Sequence, residues 1–303
     1  MRKKIIVGLL SSYVAFAHAG THQHIASNAQ AIEVDGSFRA TSPRLGSAIA
    51  MIYDEQEQRP LYAKNIDTVV PIASITKLMT AMVILDAQLP LDEPITLTAQ
   101  DMDHFKGTRS RMRNGMTLSR GDMMKIALMA SENTAAASLA RTFPGGTQVM
   151  LALMNAKAKE LGMTSTRFDD ATGLHSSNVS TAQDLVKMVM AAQRYEDIQR
   201  FTTSHSHLVQ VNSRQSLHFH NTNPLVKNDS WEIGLSKTGY ISEAGRCLVM
   251  QAKISNRPVV IVLLDSWGKH TRVGDANRVK RWMEGVNESP IRRVRNVRHV
   301  RHG

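Results

Sequence analysis

Residues 71–82 read Pro71-Ile72-Ala73-Ser74-Ile75-Thr76-Lys77-Leu78-Met79-Thr80-Ala81-Met82, and the run stays apolar through Val83, Ile84 and Leu85. Apolar residues fall on every side at helical spacing, so the stretch from Ser74 to Gln88 predicts a helix buried at the centre of a domain. Ser74 leads that helix, at the end where unpaired N–H groups and the macrodipole are positive. Lys77 stands one turn on and reaches the same face.

On either side of this helix the chain changes character. Upstream, Ala48–Tyr53 reads as a buried strand, with a charged turn at Asp54–Gln58 and a short strand near Leu61-Tyr62. Downstream, helical patterns follow at Ser119–Ala130 (Ser119 as N-cap), Glu132–Arg141, Thr147–Gly162 and Thr181–Arg194. Strand patterns return in the pair His205–Gln210 and Ser216–His220, then in Leu235–Ile241, Arg246–Ile254 and Pro258–Asp265. A last amphipathic helix, Asp275–Val286, carries Ala276, Val279, Trp282, Met283 and Val286 on one side. Strands at both ends around a helical middle predict an α/β chain of the α+β kind. An antiparallel sheet is built from both termini, with helices packed on it and an all-helical subdomain at about 90–200. The cleft between the two parts is the place for a site.

Three short strings occur in order: Ser74-Ile75-Thr76-Lys77, Ser131-Glu132-Asn133 and Lys237-Thr238-Gly239. Each alone is ordinary: a cap, a solvated lysine, a turn. Both S-x-x-K and S-x-N recur, at Ser266-Trp267-Gly268-Lys269 and Ser176-Ser177-Asn178. Ser266 follows a strand and has Gly268 inside its motif, so it marks a turn; Ser176 sits in the Gly/Ser-rich loop Thr172–Ser177 and reads as structural.

The chemistry explains the residue types. A serine hydroxyl is a weak nucleophile until a base takes its proton. Lys77 serves as that base only when neutral, which burial and a neighbouring cation such as Lys237 both favour. Ser131 is suited to pass a proton from Lys77 to a leaving nitrogen. Asn133 either holds a substrate amide or anchors Lys77. On an edge strand, Lys237 and Thr238 would meet a substrate carboxylate, and Gly239 would let a substrate backbone approach. The backbone N–H groups of Ser74 and Tyr240 are the natural oxyanion hole.

The three strings together are the signature of penicillin-binding proteins and class A β-lactamases. With Leu128–Asn133, Asn155–Gly162, Phe168–Leu174, Asn221-Thr222-Asn223 and Lys237–Tyr240, the chain resembles the low-molecular-mass penicillin-binding proteins from about Gly46 to Val286. This is the D-alanyl-D-alanine carboxypeptidase family, and within it the short D-alanyl-D-alanine endopeptidases of the penicillin-binding protein 7/8 type are most similar. The resemblance implies a β-lactamase/transpeptidase-like fold and cleavage of D-alanyl–diaminopimelate cross-links in peptidoglycan through an acyl-enzyme on Ser74. Removal of terminal D-alanine is the alternative. It further implies covalent inhibition by β-lactams and no cofactor. The second motif has Glu132 where the signature has Asp. Relatives carry an arginine beside the substrate carboxylate; Thr222 stands at one such place here and Arg272 is available for another. The loop carboxylate that a β-lactamase needs for deacylation is missing, and Asp169-Asp170 fall in that region in a different setting.

The termini concern destination. Met1-Arg2-Lys3-Lys4, a short apolar stretch and Ala17-His18-Ala19 predict a signal peptide over 1–19 cut after Ala19, and a periplasmic protein. A flexible lead-in follows over 20–45, then a catalytic domain over 46–288 and a basic tail over 289–303. Of the net charge of +11, three charges lie in the signal segment and five in the tail, leaving +3 on the body. The excess is therefore local, which argues against nucleic acid and fits weak contact of the tail with anionic lipid or wall polymer. The single cysteine, Cys247, excludes an intramolecular disulfide and lies in an apolar run. Two H-x-H pairs, His205/His207 and His218/His220, point one way if they lie on strands, but no Cys or acidic ligand accompanies them at metal-ligand spacing, and hairpin surface is the expectation. A catalytically inert wall-peptide binder is the remaining alternative, and it would need no competent Ser74–Lys77 pair.

Overall fold

Every residue from Val259 to Leu264 is buried, yet neighbours serve different cores. Val260, Val262 and Leu264 join the cluster that holds Leu78 and Met82, whereas Val259, Ile261 and Leu263 pack with Ala276 and Val279. A strand covered on both faces needs an unbroken apolar run, which is what Pro258–Leu264 supplies. The computed structural model describes residues 42–287 except 104–105, 107–109 and 214. The signal segment, most of the lead-in and the basic tail lie outside the described residues.

The elements in order are β1 (Ser47–Asp54), β2 (Arg59–Lys64), β3 (Val70–Pro71), α1 (Lys77–Asp86), β4 (Pro94–Thr96), β5 (Thr117–Ser119), α2 (Arg120–Met129), α3 (Asn133–Arg141), α4 (Gly146–Glu160) and β6 (Val179–Ser180). They continue as α5 (Ala182–Ala192), α6 (Glu196–Thr202), the hairpin β7 (Ser206–Asn212) and β8 (Gln215–His220), β9 (Glu232–Ile241), β10 (Gly245–Ile254), β11 (Arg257–Ser266) and α7 (Thr271–Asn287). A five-stranded sheet has the order β2-β1-β11-β10-β9, and its neighbours pair antiparallel. Both ends of the described chain thus enter one sheet, as expected. The strand β9, which carries Lys237-Thr238-Gly239, is an edge.

α7 covers one face of the sheet through Ala276, Val279, Trp282 and Met283. Its Asp275, fully buried, accepts from the backbone N–H of Gly46 (2.9 Å) and Ser47 (2.7 Å) and from the Ser47 hydroxyl (2.6 Å). The C-terminal helix is thereby pinned to the start of β1. Ser266, the second S-x-x-K serine, ends β11 with its Oγ 2.7 Å from that of Ser47; it is occupied in the fold.

The helical lobe covers the other face. The central helix is shorter than its apolar pattern suggests: a 3-10 turn spans Ala73–Thr76 and the α-helix begins only at Lys77. Ala73 has φ +47, a left-handed conformation costly for a residue with a Cβ, and it sets off the tight turn before α1. Ser119 caps α2 as expected, accepting from the Asp122 N–H at 3.0 Å. Thr181 caps α5, which stops at Ala192, and α6 follows as a separate helix. Pro43 and Leu45, read as flexible lead-in, are buried.

Candidate active site

Ser74 and Lys77 are brought together by one turn of chain at the junction of the two parts. Ser74 is 9% exposed and Lys77 1%. The Lys77 Nζ lies 2.7 Å from Ser74 Oγ, 2.7 Å from Asn133 Oδ1 and 2.6 Å from the Thr172 carbonyl. The Asn133 and Thr172 oxygens can only accept. A neutral lysine gives its two N–H bonds to them, and its lone pair is left facing the Ser74 hydroxyl. Burial lowers the Lys77 amine to about 7, against the opposing pull of Asp170 and Glu132. The sequence predicts a share of that lowering from Lys237. The repulsion is seen instead at Lys237, which burial first, then Lys77 and Arg272, hold well below the usual lysine range.

The second motif divides differently from the expectation. Asn133 begins α3 and anchors Lys77. Ser131 sits in the loop between α2 and α3 with φ +60, and its Oγ accepts from Lys237 Nζ at 2.8 Å rather than bonding Lys77. The left-handed backbone at Ser131 turns the chain so that two residues of one short motif face different lysines. Glu132, between them, is the N-cap position of α3 and makes no side-chain cap bond.

On β9, Lys237 is 1% exposed and also donates to the Thr238 carbonyl at 2.9 Å. Thr238 Oγ1 lies 2.6 Å from that of Thr222. A Cβ on Gly239 would stand 2.9 Å from the Ile72 carbonyl oxygen and 3.1 Å from Ser74 N. The glycine therefore admits the chain's own Ile72–Ser74 backbone, where the sequence predicts the approach of a substrate backbone. Tyr240 follows, 56% exposed. Arg272, in the first turn of α7, donates to the carbonyls of Gly239 (2.9 Å) and Cys247 (3.2 Å), so it lies directly behind the edge strand. Cys247 is buried with its thiol pushed up to about 11, and it plays no part in the cleft.

A third segment, the loop from Asp169 to Asn178, completes the arrangement. Asp170 accepts from the N–H groups of Thr172, Gly173 and His175 and from the Thr172 hydroxyl, which shapes the loop that aims the Thr172 carbonyl at Lys77. Asn178, fully buried, accepts from the N–H groups of Asp169 (2.7 Å) and Asp170 (3.0 Å) and donates to Thr76 Oγ1 (3.0 Å) and the Asp170 carbonyl (2.8 Å). It ties this loop to the Ser74 turn. Gly173 has φ +80, and a Cβ there would fall 1.9 Å from the Ala73 carbonyl oxygen. The Asp170-Ala171-Thr172-Gly173 string carries a legible side-chain turn signal; Asn178 carries none. Beside the loop, a cavity of about 350 Å³ is lined in part by Asn133, Asp170, Thr172 and His175.

The hairpin histidines are split by the pleat. His207 turns inward, its Nε2 2.7 Å from Asp122 Oδ1, while His218 and His220 are exposed with ring centroids 4.3 Å apart. The two H-x-H pairs therefore do not converge.

A buried serine–lysine pair beside the edge strand of an antiparallel sheet is the equipment of a serine acyl-transfer enzyme. The model of the D-alanyl-D-alanine carboxypeptidase family, peptidase S11, matches residues 37–268, and the chain belongs to that family. It is 46% identical over 253 residues to the D-alanyl-D-alanine endopeptidase of Escherichia coli K12, spanning 83% of this chain and 82% of that one. Identity to the D-alanyl-D-alanine endopeptidase of Pseudomonas aeruginosa is 47% over 241 residues, spanning 79% of this chain and 78% of that one. The Streptomyces K15 DD-transpeptidase crystal structure shares the fold at a TM-score of 0.75 and 24% identity, over 81% of this chain and all of the other (100%).

Proposed function

We propose that this enzyme is a periplasmic D-alanyl-D-alanine endopeptidase that opens peptidoglycan cross-links through an acyl-enzyme on Ser74. The observation that carries the reading is the Lys77 amine, near neutrality at about 7 and 2.7 Å from the Ser74 hydroxyl. Neutral Lys77 takes the Ser74 proton as Oγ bonds to the D-alanyl carbonyl carbon. The Ser74 and Tyr240 N–H groups receive the oxyanion. The proton that Lys77 has taken goes on to the departing nitrogen as the amide C–N bond breaks, with Ser131, held by Lys237, as the relay between them, and an ester to Ser74 remains. Water then hydrolyses that ester. Lys237 and Thr238 hold the carboxylate on the leaving side, with Arg272 behind them. The domain limits of 46–288 and export with cleavage after Ala19 belong to the same proposal.

β-lactams acylate the same serine by the same step. Asp170, which with Asp169 falls in the region where a lactamase carries its deacylating carboxylate, is engaged by four donors of its own loop. The penicilloyl ester therefore leaves slowly. An inert binder would have no use for a desolvated lysine aimed at a serine.

The test is digestion of purified cross-linked muropeptides, read by chromatography. The native enzyme yields monomers, and Ser74→Ala loses activity by on the order of 10⁴-fold or more. Equal cleavage by both proteins would remove Ser74 from its role, and rapid penicillin hydrolysis would reassign the enzyme as a lactamase.

A further inference from the structure

Immediately beyond the Lys237-Thr238-Gly239 strand lies a group of side chains that the reaction above does not use. Leu235 to Gly239 are buried, and Tyr240 is the first residue along this edge to emerge, 56% exposed. Across the β9–β10 ladder Tyr240 pairs with Arg246, whose guanidinium carbon stands 4.5 Å above the centre of the tyrosine ring. Arg246 also pairs with Ser266 on β11, and the next residue, Trp267, is 78% exposed at the same end of the sheet.

The nearby carboxylates leave Arg246 unengaged: Asp265 lies against Gly245, where its Oδ1 would meet a Cβ at 2.5 Å. Arg246 makes no ion pair among the described residues, and Glu243 in the adjoining turn is taken by Lys106. Arg246 is close enough to Arg272 to lower its basicity, after burial. Two guanidinium groups held by neighbouring residues of one hairpin, one lodged on the carbonyls of Gly239 and Cys247 and the other on the exposed Tyr240 face, repel each other. An anionic group placed between them and solvent relieves that repulsion and gains charge-assisted hydrogen bonds. Contact with the tyrosine ring restrains the Arg246 side chain, which lessens the ordering cost of binding.

We infer that Tyr240 and Arg246 form a subsite for the leaving strand of a cross-link, an anionic peptide that continues past the scissile D-alanyl bond. The inference rests on the endopeptidase reading and deepens it. A terminal D-alanine departs as a free amino acid whose one carboxylate is met by Lys237, Thr238 and Arg272. It extends no further. The leaving side of a cross-link branches at the carbon that carries this carboxylate and continues as peptide with additional carboxylates, for which Tyr240 and Arg246 are the exposed groups beside the cleft. The subsite thus favours cross-links over terminal residues without touching the reacting atoms.

The experiment compares kcat/KM on a purified cross-linked muropeptide dimer and on a monomeric pentapeptide ending in D-Ala-D-Ala, for the native enzyme, Arg246→Gln and Arg246→Lys. Acylation by benzylpenicillin, which has no leaving strand, reports the integrity of the serine centre. A lost charge-assisted hydrogen bond corresponds to about a tenfold drop. The ratio of dimer to monomer turnover is expected to fall by roughly that factor in Arg246→Gln, mainly through KM, with partial recovery in Arg246→Lys and acylation within about twofold of native. Equal losses on both substrates would make Arg246 a general structural residue and overturn the subsite, as would an unchanged ratio. A native enzyme that cleaves monomer but no dimer would overturn the endopeptidase reading itself, and the subsite with it, before any variant is compared.

Discussion

At the scale of single residues, three acceptors around one amine define the working state of Lys77. Protonated, the amine gives a hydrogen to each of Ser74, Asn133 and Thr172; neutral, it keeps two bonds and offers its lone pair to Ser74. Acylation needs the neutral form, so its rate rises with pH through about 7 and levels off above. Stopped-flow acylation by a slow β-lactam across pH 5.5–9 checks this; a rate that falls or stays flat over the range of about 6–8 would remove Lys77 as the base. The same lowered value bears on stability. The unfolded chain binds this proton up to the ordinary lysine range, the folded chain only to about 7. The cost of burying the charge is fully present below pH 7 and is relieved as pH rises above it.

At the scale of elements, the site is a packing problem among backbones. The turn Ala73–Thr76, the loop 170–178 and β9 approach so closely that a Cβ fails at two places where glycine stands. One is Gly239 and the other Gly173. The second is the more severe, since a methyl group there would lie 1.9 Å from the Ala73 carbonyl oxygen at a φ of +80. Gly173→Ala therefore combines a left-handed backbone penalty of about 1–2 kcal/mol with an overlap of about 1–3 kcal/mol more. The expected result is a folded protein with a lowered Tm and penicillin acylation slowed at least about tenfold, because the loop must withdraw and take the Thr172 carbonyl with it. Native-like melting and acylation would contradict the packing described.

For the whole molecule, the decisive contact joins the first strand and the last helix of the described residues. Asp275 takes two backbone N–H bonds and a hydroxyl at the head of β1, and Arg278 lies against it. Asp275→Ala leaves the buried Ser47 N–H without its acceptor and loosens α7 from the sheet, at a cost of about 1–3 kcal/mol. Urea unfolding should show the loss as a lower midpoint with an unchanged slope. A shift under about 1 kcal/mol would mean that the apolar face of α7 docks it unaided. Because Arg272 rides on the first turn of α7, the same variant is expected to disturb the cleft.

The sequence by itself determined the sheet and the reacting pair, for a local reason. Unbroken apolar runs specify strands covered on both faces, and a lysine three residues after a serine on a tight turn must lie beside it. Tertiary structure decided everything that depends on which backbones meet. Ser74 stands in a 3-10 turn ahead of the helix rather than inside it, following an Ala73 in the left-handed conformation. Ser131 went to Lys237 and Asn133 to Lys77, a division that a positive φ makes and that no periodicity records. Asp170 and Asn178 act through hydrogen bonds to backbone groups brought near by folding, and such partners have no signature in residue order. Gly239 was legible as a place where something comes close; that the visitor is the chain's own Ser74 backbone followed only from the three-dimensional packing.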